Sequence, residues 1–239
     1  MNILIWLALA TFVSTLVGGL FAIKFKKGLP YFFAFSAGSL IAICFLDLLP
    51  EALKIGESAN FQSHWVFGVV VASFLFYSFL ERFFLTHHHH DDEGHGHIFG
   101  PIAAGSLVVH SFFDGIAIGA AYQVNAAVGL IVALAVLTHD FTDGINTVTL
   151  MLKNKHKVGK AIFFLFLDAI APVLGIIIAS SLIVNEMTLS IILAFFVGEF
   201  LYIGATNLLP ETYKHDGWIM AICMLLGALL IFILTSLVG

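Results

Sequence analysis

The stretch VHSFFDGIAIGAAYQVNAAVGLIVALAVLTHDFTDG, residues 109–144, decides how this chain is read. It carries the pattern His-x-x-x-Asp-Gly twice, from His110 to Gly115 and from His139 to Gly144, each time inside a long apolar run. On a helix, positions i and i+4 share a face, so each run presents one imidazole and one carboxylate to a common neighbour. Ionisable groups inside a membrane span are costly and mark a functional site by default. Two matching sets, one per helix, point to a divalent-metal site where the helices meet.

Working outward, the rest of the chain has the composition of a membrane protein. Its 239 residues are 60% hydrophobic and 10% charged, with a mean hydropathy of +1.05. Soluble domains are about a quarter charged. A spanning helix needs roughly 20 apolar residues. Eight runs of that kind can be read, at 2–23, 30–50, 65–85, 98–121, 126–150, 158–182, 188–209 and 217–238. The expectation is an all-α membrane protein, a single transmembrane domain over residues 1–239 in contact with the lipid bilayer. The first run is long enough to span and lacks a basic start, so no cleavable signal peptide is expected. Nothing in the composition calls for a nucleic-acid partner, and a homodimer is the one assembly considered. Cys44 and Cys223 both fall in spans, which predicts free thiols.

Lys24, Lys26, Lys27, Arg82, Lys153, Lys155, Lys157, Lys160 and Lys214 fall on one side of an eight-span arrangement, and only Lys54 falls on the other. The positive-inside rule then puts loops 1–2, 3–4, 5–6 and 7–8 in the cytoplasm and both termini outside, with the plasma (inner) membrane as the expected location. The loop at 86–97 holds six of the eleven histidines, with Asp91, Asp92 and Glu93. It is too polar to span and reads as a solvated cytoplasmic loop that binds metal weakly.

Leu-Leu-Pro-Glu occurs at 48–51, where span 2 is expected to close outside, and at 208–211, where span 7 is expected to close inside. Each is the middle span of a triple, 1–3 or 6–8, and the triples cross the membrane in opposite senses. That is the pattern of an inverted repeat, a usual plan of secondary transporters.

His110 lies about 12 residues into span 4 and His139 about 13 into span 5; at about 1.5 Å per residue both sit near the middle of a core roughly 30 Å thick. A lone intramembrane histidine is usually an interhelical hydrogen-bonding group. Two His-x-x-x-Asp sets at equal depth favour a ligand site. Gly115, Gly119 and Gly144 are expected to let spans 4 and 5 approach closely. Two carboxylates balance one divalent ion, and imidazole with carboxylate suits Zn²⁺, Fe²⁺, Mn²⁺ and Co²⁺ more than Ca²⁺ or Cu⁺. Asp140 either ligates or orients an imidazole. Asp168 and Pro172 lie in span 6 and Glu199 in span 7; each acid is a hydrogen-bonding group or a member of the metal path.

At these residues the chain resembles the ZIP family of zinc/iron-type transporters. His110-Ser111-x-x-Asp114-Gly115 and His139-Asp140-x-x-Asp143-Gly144 are similar to the family's paired signatures, and the eight spans, the His-rich loop and the two Leu-Leu-Pro-Glu segments agree. The resemblance covers the whole chain. It implies a 3+2+3 bundle with an inverted repeat of helices 1–3 and 6–8. It implies a primary metal site of His110, Asp114, His139 and Asp143, and elevator-like movement of spans 1, 4, 5 and 6. The chain departs from the family in having Ser111 where Asn is usual, Asp114 and Asp143 where Glu is common, and Ala171 where many members place Glu. Those positions form an adjacent second site in relatives; here Ser111 and Ala171 depart from it, Asp140 matches one of its acids, and Asp168, one helical turn before Ala171, is the residue that could substitute.

The function expected is secondary transport of a divalent transition metal into the cytoplasm, zinc first and iron, manganese, cobalt or cadmium after it. The metal is the substrate, and no cofactor is implied. Two other functions compete. A cation-diffusion-type exporter usually has six spans and a soluble C-terminal domain. An intramembrane zinc hydrolase calls for a motif such as His-Glu-x-x-His and a general base; the motif does not occur and no acid is set apart as such a base. With no P-loop in the chain, ATP-driven transport is not expected.

Overall fold

The computed structural model describes residues 2–25, 28–86, 96–214 and 217–238. These form helices α1 (Asn2–Lys24), α2 (Leu29–Ile43), α3 (Leu49–Ser58), α4 (Ser63–Thr86), α5 (Gly96–Val124), α6 (Ala126–Lys153), α7 (Val158–Ala179), α8 (Glu186–Tyr202), α9 (Leu209–Thr212) and α10 (Gly217–Val238). Among the described residues there is no strand, and eight helical stretches are long and apolar enough to cross a membrane. The all-α, eight-span expectation is met. The expected His-rich loop lies at 87–95 outside the described residues, while its flanks at Thr86 and Gly96–His97 are helical.

Local chemistry sets the boundaries. Asn125 alone separates α5 from α6; its side-chain carbonyl accepts the Ala127 amide at 2.8 Å, an N-cap. Asn185 caps α8 in the same way through the Thr188 amide, also at 2.8 Å.

The structure corrects one boundary. Leu-Leu-Pro-Glu at 48–51 does not close the second span, because the helix runs on through Pro50 to Ser58. A π-helical turn, Cys44–Leu48, precedes the proline, and the Leu49 amide bonds the Cys44 carbonyl five residues back. Proline has no N–H and its ring crowds the carbonyl four residues earlier. Widening the helix by one residue just before it relieves both demands. The seventh span repeats the device: a π turn at Ile203–Leu208, a Leu209 amide bonded to the Gly204 carbonyl, then Pro210.

The chain divides into two compact units. One comprises 1–29, 82–119 and 139–182, which is α1, the greater part of α5 and α6, and α7. The other comprises 30–81, 120–138 and 183–239, which holds α2, α3, most of α4 and α8–α10.

In the first unit, helices meet backbone to backbone at glycine. A Cβ on Gly18 would overlap the carbonyl of Phe141, and one on Gly144 would overlap that of Thr15, so α1 and α6 are pressed together from both sides. Gly115 faces the carbonyl of Pro172 and Gly175 that of Phe112, which does the same for α5 and α7. Here too the structure corrects the sequence reading. Gly115, Gly119 and Gly144 do not ease an approach of α5 to α6; they admit α7 (Pro172, Ile176 and Ala179) and α1 (Thr15). The reason is angular. A residue directly after a ligand lies about 100° round the helix from it, so a glycine that follows an inward-facing Asp faces a flanking helix.

In the second unit, Gly38 and Gly227 join α2 to α10 against the carbonyls of Met224 and Phe35, and Gly198 lies on the carbonyl of Val70, joining α8 to α4. Cys44 is a buried free thiol 3.7 Å from the Val197 carbonyl. Large apolar residues face outward elsewhere, among them Trp6, Phe79, Leu225 and Trp218, as a lipid solvent requires.

Gly144→Val forces side-chain atoms into the α1 backbone, which cannot rotate away as a side chain can. Overpacking of this kind costs about 1–3 kcal/mol or more. Thermal unfolding in detergent is expected to show a marked loss for Gly144→Val. Gly105→Ala, where a Cβ meets open space, is expected to be neutral or slightly stabilising.

Candidate metal centre

All components of the candidate centre lie in the first unit. α5 brings His110, Ser111 and Asp114; α6 brings His139, Asp140, Asp143 and Thr147; α7 brings Asp168. Every one is at most 4% exposed, in helices otherwise built of apolar residues. The reason these helices tolerate such residues is length and position. Two thirds (67%) of the apolar window of α6 is buried in the protein, against 11% for α4. The polar face of α6 therefore meets protein, while α4 is largely exposed.

His110, Asp114, His139 and Asp143 offer four ligand atoms that all lie within 4.8 Å of one another. Imidazole and carboxylate alternate. Asp114 Oδ2 is 3.3 Å from Nε2 of both His110 and His139. Asp143 Oδ2 is 3.7 Å from His110 Nε2 and 3.5 Å from His139 Nε2. The ring centroids are 5.7 Å apart with planes inclined at 40°, so the two rings do not stack and both nitrogens turn toward the carboxylates.

These spacings have a chemical meaning. Zn–N and Zn–O bonds are about 2.0–2.2 Å, and a tetrahedron with such bonds has ligand atoms roughly 3.3–3.5 Å apart. The four His–Asp distances fall at or just above that edge length, and all pairs in the group lie within 4.8 Å, so small side-chain shifts would close it on one ion. Calcium takes six to eight oxygens at about 2.3–2.6 Å, a donor set this group does not supply. The arrangement suits one four-coordinate divalent transition metal, its double charge matched by two carboxylates.

The remaining sequence candidates sit differently. Asp140 is 1% exposed, and neither of its carboxylate oxygens has a hydrogen-bond partner among the described residues. It lies within electrostatic reach of His139, Asp114, Asp143 and Asp168. Asp168 stands outside the four-residue group and accepts two hydrogen bonds, from Ser111 Oγ at 2.7 Å and from Thr147 Oγ1 at 2.8 Å. Thr147 was invisible to the sequence reading. It lies one turn beyond Asp143, but a threonine in an apolar helix most often bonds its own backbone, and nothing in the pattern distinguishes this one. Glu199 is fully buried in the second unit, and Asp47, in the first π turn, is half-buried there.

Eight membrane-length helices, with a buried set of two imidazoles and two carboxylates in the first unit, define a multi-pass membrane protein with a group able to hold a divalent transition metal. The sequence profile of the ZIP zinc transporter family matches residues 2–102 and 97–235, and the chain belongs to that family. It is 27% identical over 218 residues to the zinc transporter ZIP13 of Pongo abelii, an alignment covering 85% of this chain and 66% of the relative. It is 32% identical over 111 residues to the zinc transporter ZIP10 of Mus musculus, covering 46% and 13% respectively. It is 32% identical over 103 residues to the metal cation symporter ZIP8 of Rattus norvegicus, covering 43% and 22%. The chain thus spans less than two thirds of the length of these relatives.

A ligand that binds only the folded state stabilises it by about 2.7 kcal/mol at a hundred times its Kd. Zinc is therefore expected to raise the unfolding temperature of the purified protein, while calcium does not. His139→Ala or Asp114→Ala is expected to remove the zinc-dependent rise, as read by thermal unfolding with and without metal.

Proposed function

We propose that the protein is a secondary transporter that carries a divalent transition metal, zinc foremost, into the cytoplasm. The observation that carries this reading is the convergence of four buried ligand atoms from the middle of two membrane-length helices. The relatives bear the names of zinc transporters and of a metal cation symporter. In this reading His110, Asp114, His139 and Asp143 replace the hydration shell of the ion. Four ligands without a thiolate bind less tightly than a structural zinc site, and a transport site must release its ion. Asp140, with two unsatisfied oxygens beside the group, takes up or hands on the ion or directs the His139 ring.

Inward movement of a divalent ion gains about 4.6 kcal/mol per 100 mV of inside-negative potential, twice the value for a single charge. That is a factor of about a thousand in equilibrium concentration, enough to drive uptake without ATP. The orientation follows from the Lys and Arg distribution, which puts both termini outside. Asp47 then stands toward the outer mouth, and the segment from His87 to His97 lies where metal emerges and tunes transport.

We further read the chain as a 3+2+3 bundle with an inverted repeat. Glycine-mediated contacts support this reading, because they come in pairs that such a symmetry would exchange: α5 with α7 and α6 with α1, then α2 with α10 and α8 with α4. The two π turns before Pro50 and Pro210 form a third pair. Spans 1, 4, 5 and 6 carry the metal as one body in this reading, and the gathering of α1, α7 and the metal-bearing parts of α5 and α6 into one compact unit supports it.

Proteoliposomes with an inside-negative potential test the assignment. His110→Ala and Asp143→Ala are expected to lower the initial rate of zinc uptake at least a hundredfold while inserting normally; wild-type flux in both would refute the site. For orientation, a cysteine at Lys54 is expected to react with an impermeant maleimide on intact cells, and one at Lys155 only after permeabilisation. The opposite pattern would reverse the proposed direction.

A further inference from the structure

We infer that Asp168 is a positioning residue that sets the distance between the two ligand-bearing helices, and with it the size of ion the centre accepts. The inference rests on the proposed four-residue metal site and adds a determinant of its selectivity. Asp168 is fully buried on α7. One of its oxygens accepts the hydroxyl of Ser111 on α5 at 2.7 Å; the other accepts the hydroxyl of Thr147 on α6 at 2.8 Å. Ser111 follows His110 directly, and Thr147 stands one helical turn beyond Asp143. The carboxylate therefore ties α5 to α6 through residues one and four positions from ligands.

Three features favour a clamp over a ligand. Both oxygens of Asp168 are already engaged, whereas both oxygens of neighbouring Asp140 have no hydrogen-bond partner among the described residues. A hydroxyl has a single proton, and Ser111 and Thr147 each donate theirs to Asp168, which turns both side chains toward α7. Asp168 also lies outside the group of four whose ligand atoms come within 4.8 Å of one another. The α5 side of the bridge is held independently, since Gly115 and Gly175 press α5 and α7 together backbone to backbone. With α5 and α7 joined in this way, the bond from Thr147 is what transmits the position of α7 to α6. The His–Asp distances across the centre, 3.3 to 3.7 Å, join α5 to α6 as well as running within each helix, so a shift of a few tenths of an ångström between the helices changes the ion that fits.

Asparagine can keep both links, accepting from Ser111 and donating to Thr147, but it is a far weaker metal ligand than a carboxylate. The test measures zinc stoichiometry, the ratio of initial uptake rates for Zn²⁺ and the larger Cd²⁺, and the unfolding temperature of metal-free protein. It compares wild type with Asp168→Asn, Asp168→Ala and Thr147→Val. Outer partners of metal ligands typically change affinity by about ten- to a hundredfold. Asp168→Ala and Thr147→Val are expected to shift the Zn²⁺/Cd²⁺ ratio at least tenfold and to lower the metal-free unfolding temperature, with zinc stoichiometry unchanged. Asp168→Asn is expected to stay within about threefold of the wild-type ratio. Loss of a bound zinc in Asp168→Asn would make the residue a ligand and overturn the inference. So would a wild-type ratio in Thr147→Val, which is close in shape to the native side chain and serves if Asp168→Ala does not fold. His110→Ala separates the two levels: if it binds and carries zinc like wild type, the metal reading fails, while the metal-free unfolding temperatures still report whether Asp168 joins the helices.

Discussion

The structure depends on one constraint, the burial of four carboxylic acids, each at most 2% exposed, within membrane-length helices. A charged side chain at the centre of a bilayer costs about 2.5–3.5 kcal/mol on insertion scales. Four such residues, Asp114, Asp140, Asp143 and Asp168, would cost about 10 kcal/mol, comparable to the whole stability of a domain. That cost favours a partner for each acid, and three of the four have one. Asp114 and Asp143 stand between two imidazoles, and Asp168 accepts two hydroxyls. Asp140 has neither and lies beside the others. Among the described residues the unit's lysines Lys24, Lys155, Lys157 and Lys160 lie at helix ends, in the last turn of α1, between α6 and α7, and in the first turn of α7, so a divalent cation at the group would add the positive charge these do not bring there.

Holding these partners in register falls to glycine. In lipid, helices gain little from apolar contact and associate through close packing and interhelical hydrogen bonds. The motif His-x-x-x-Asp-Gly combines two tasks in one turn: its first and fifth residues face the centre, and its sixth admits the backbone of a flanking helix. Gly115 does this for α7 and Gly144 for α1, and Gly175 and Gly18 return the contact. The four His and Asp residues are thus borne on a unit whose helix spacing is set by main chain, which yields far less than side chains do.

The paired π turns belong to the same economy of repeated devices. Each precedes a proline, after which the helix runs on to Ser58 in the second span and ends at Thr212 in the seventh, and each holds a polar residue, Asp47 or Asn207, in the widened turn. Such turns are uncommon in soluble helices and often mark functional positions. Their occurrence before the same Leu-Pro-Glu in spans 2 and 7 extends to the backbone a likeness that in sequence amounts to four residues.

Most of the fold class was legible in the chain itself. Eight apolar runs of membrane length can form only helices in lipid, because every backbone group must be satisfied within its own segment. The His and Asp positions were equally legible, since ionisable residues stand out in an apolar run and helical periodicity puts i and i+4 on one face. Tertiary structure alone decided which neighbour each residue meets. Sequence could not show that Leu-Leu-Pro-Glu at 48–51 continues a helix, because a π turn depends on hydrogen bonds that leave no mark on residue type. It could not show that Gly115 and Gly144 serve α7 and α1 in place of each other's helix, because composition does not say which helix lies on which side. Nor could it show that Asp168 accepts two hydroxyls, or reveal Thr147. A buried acid reads the same in sequence whether it faces a metal or two hydroxyls, and only the packing of three helices distinguishes the two.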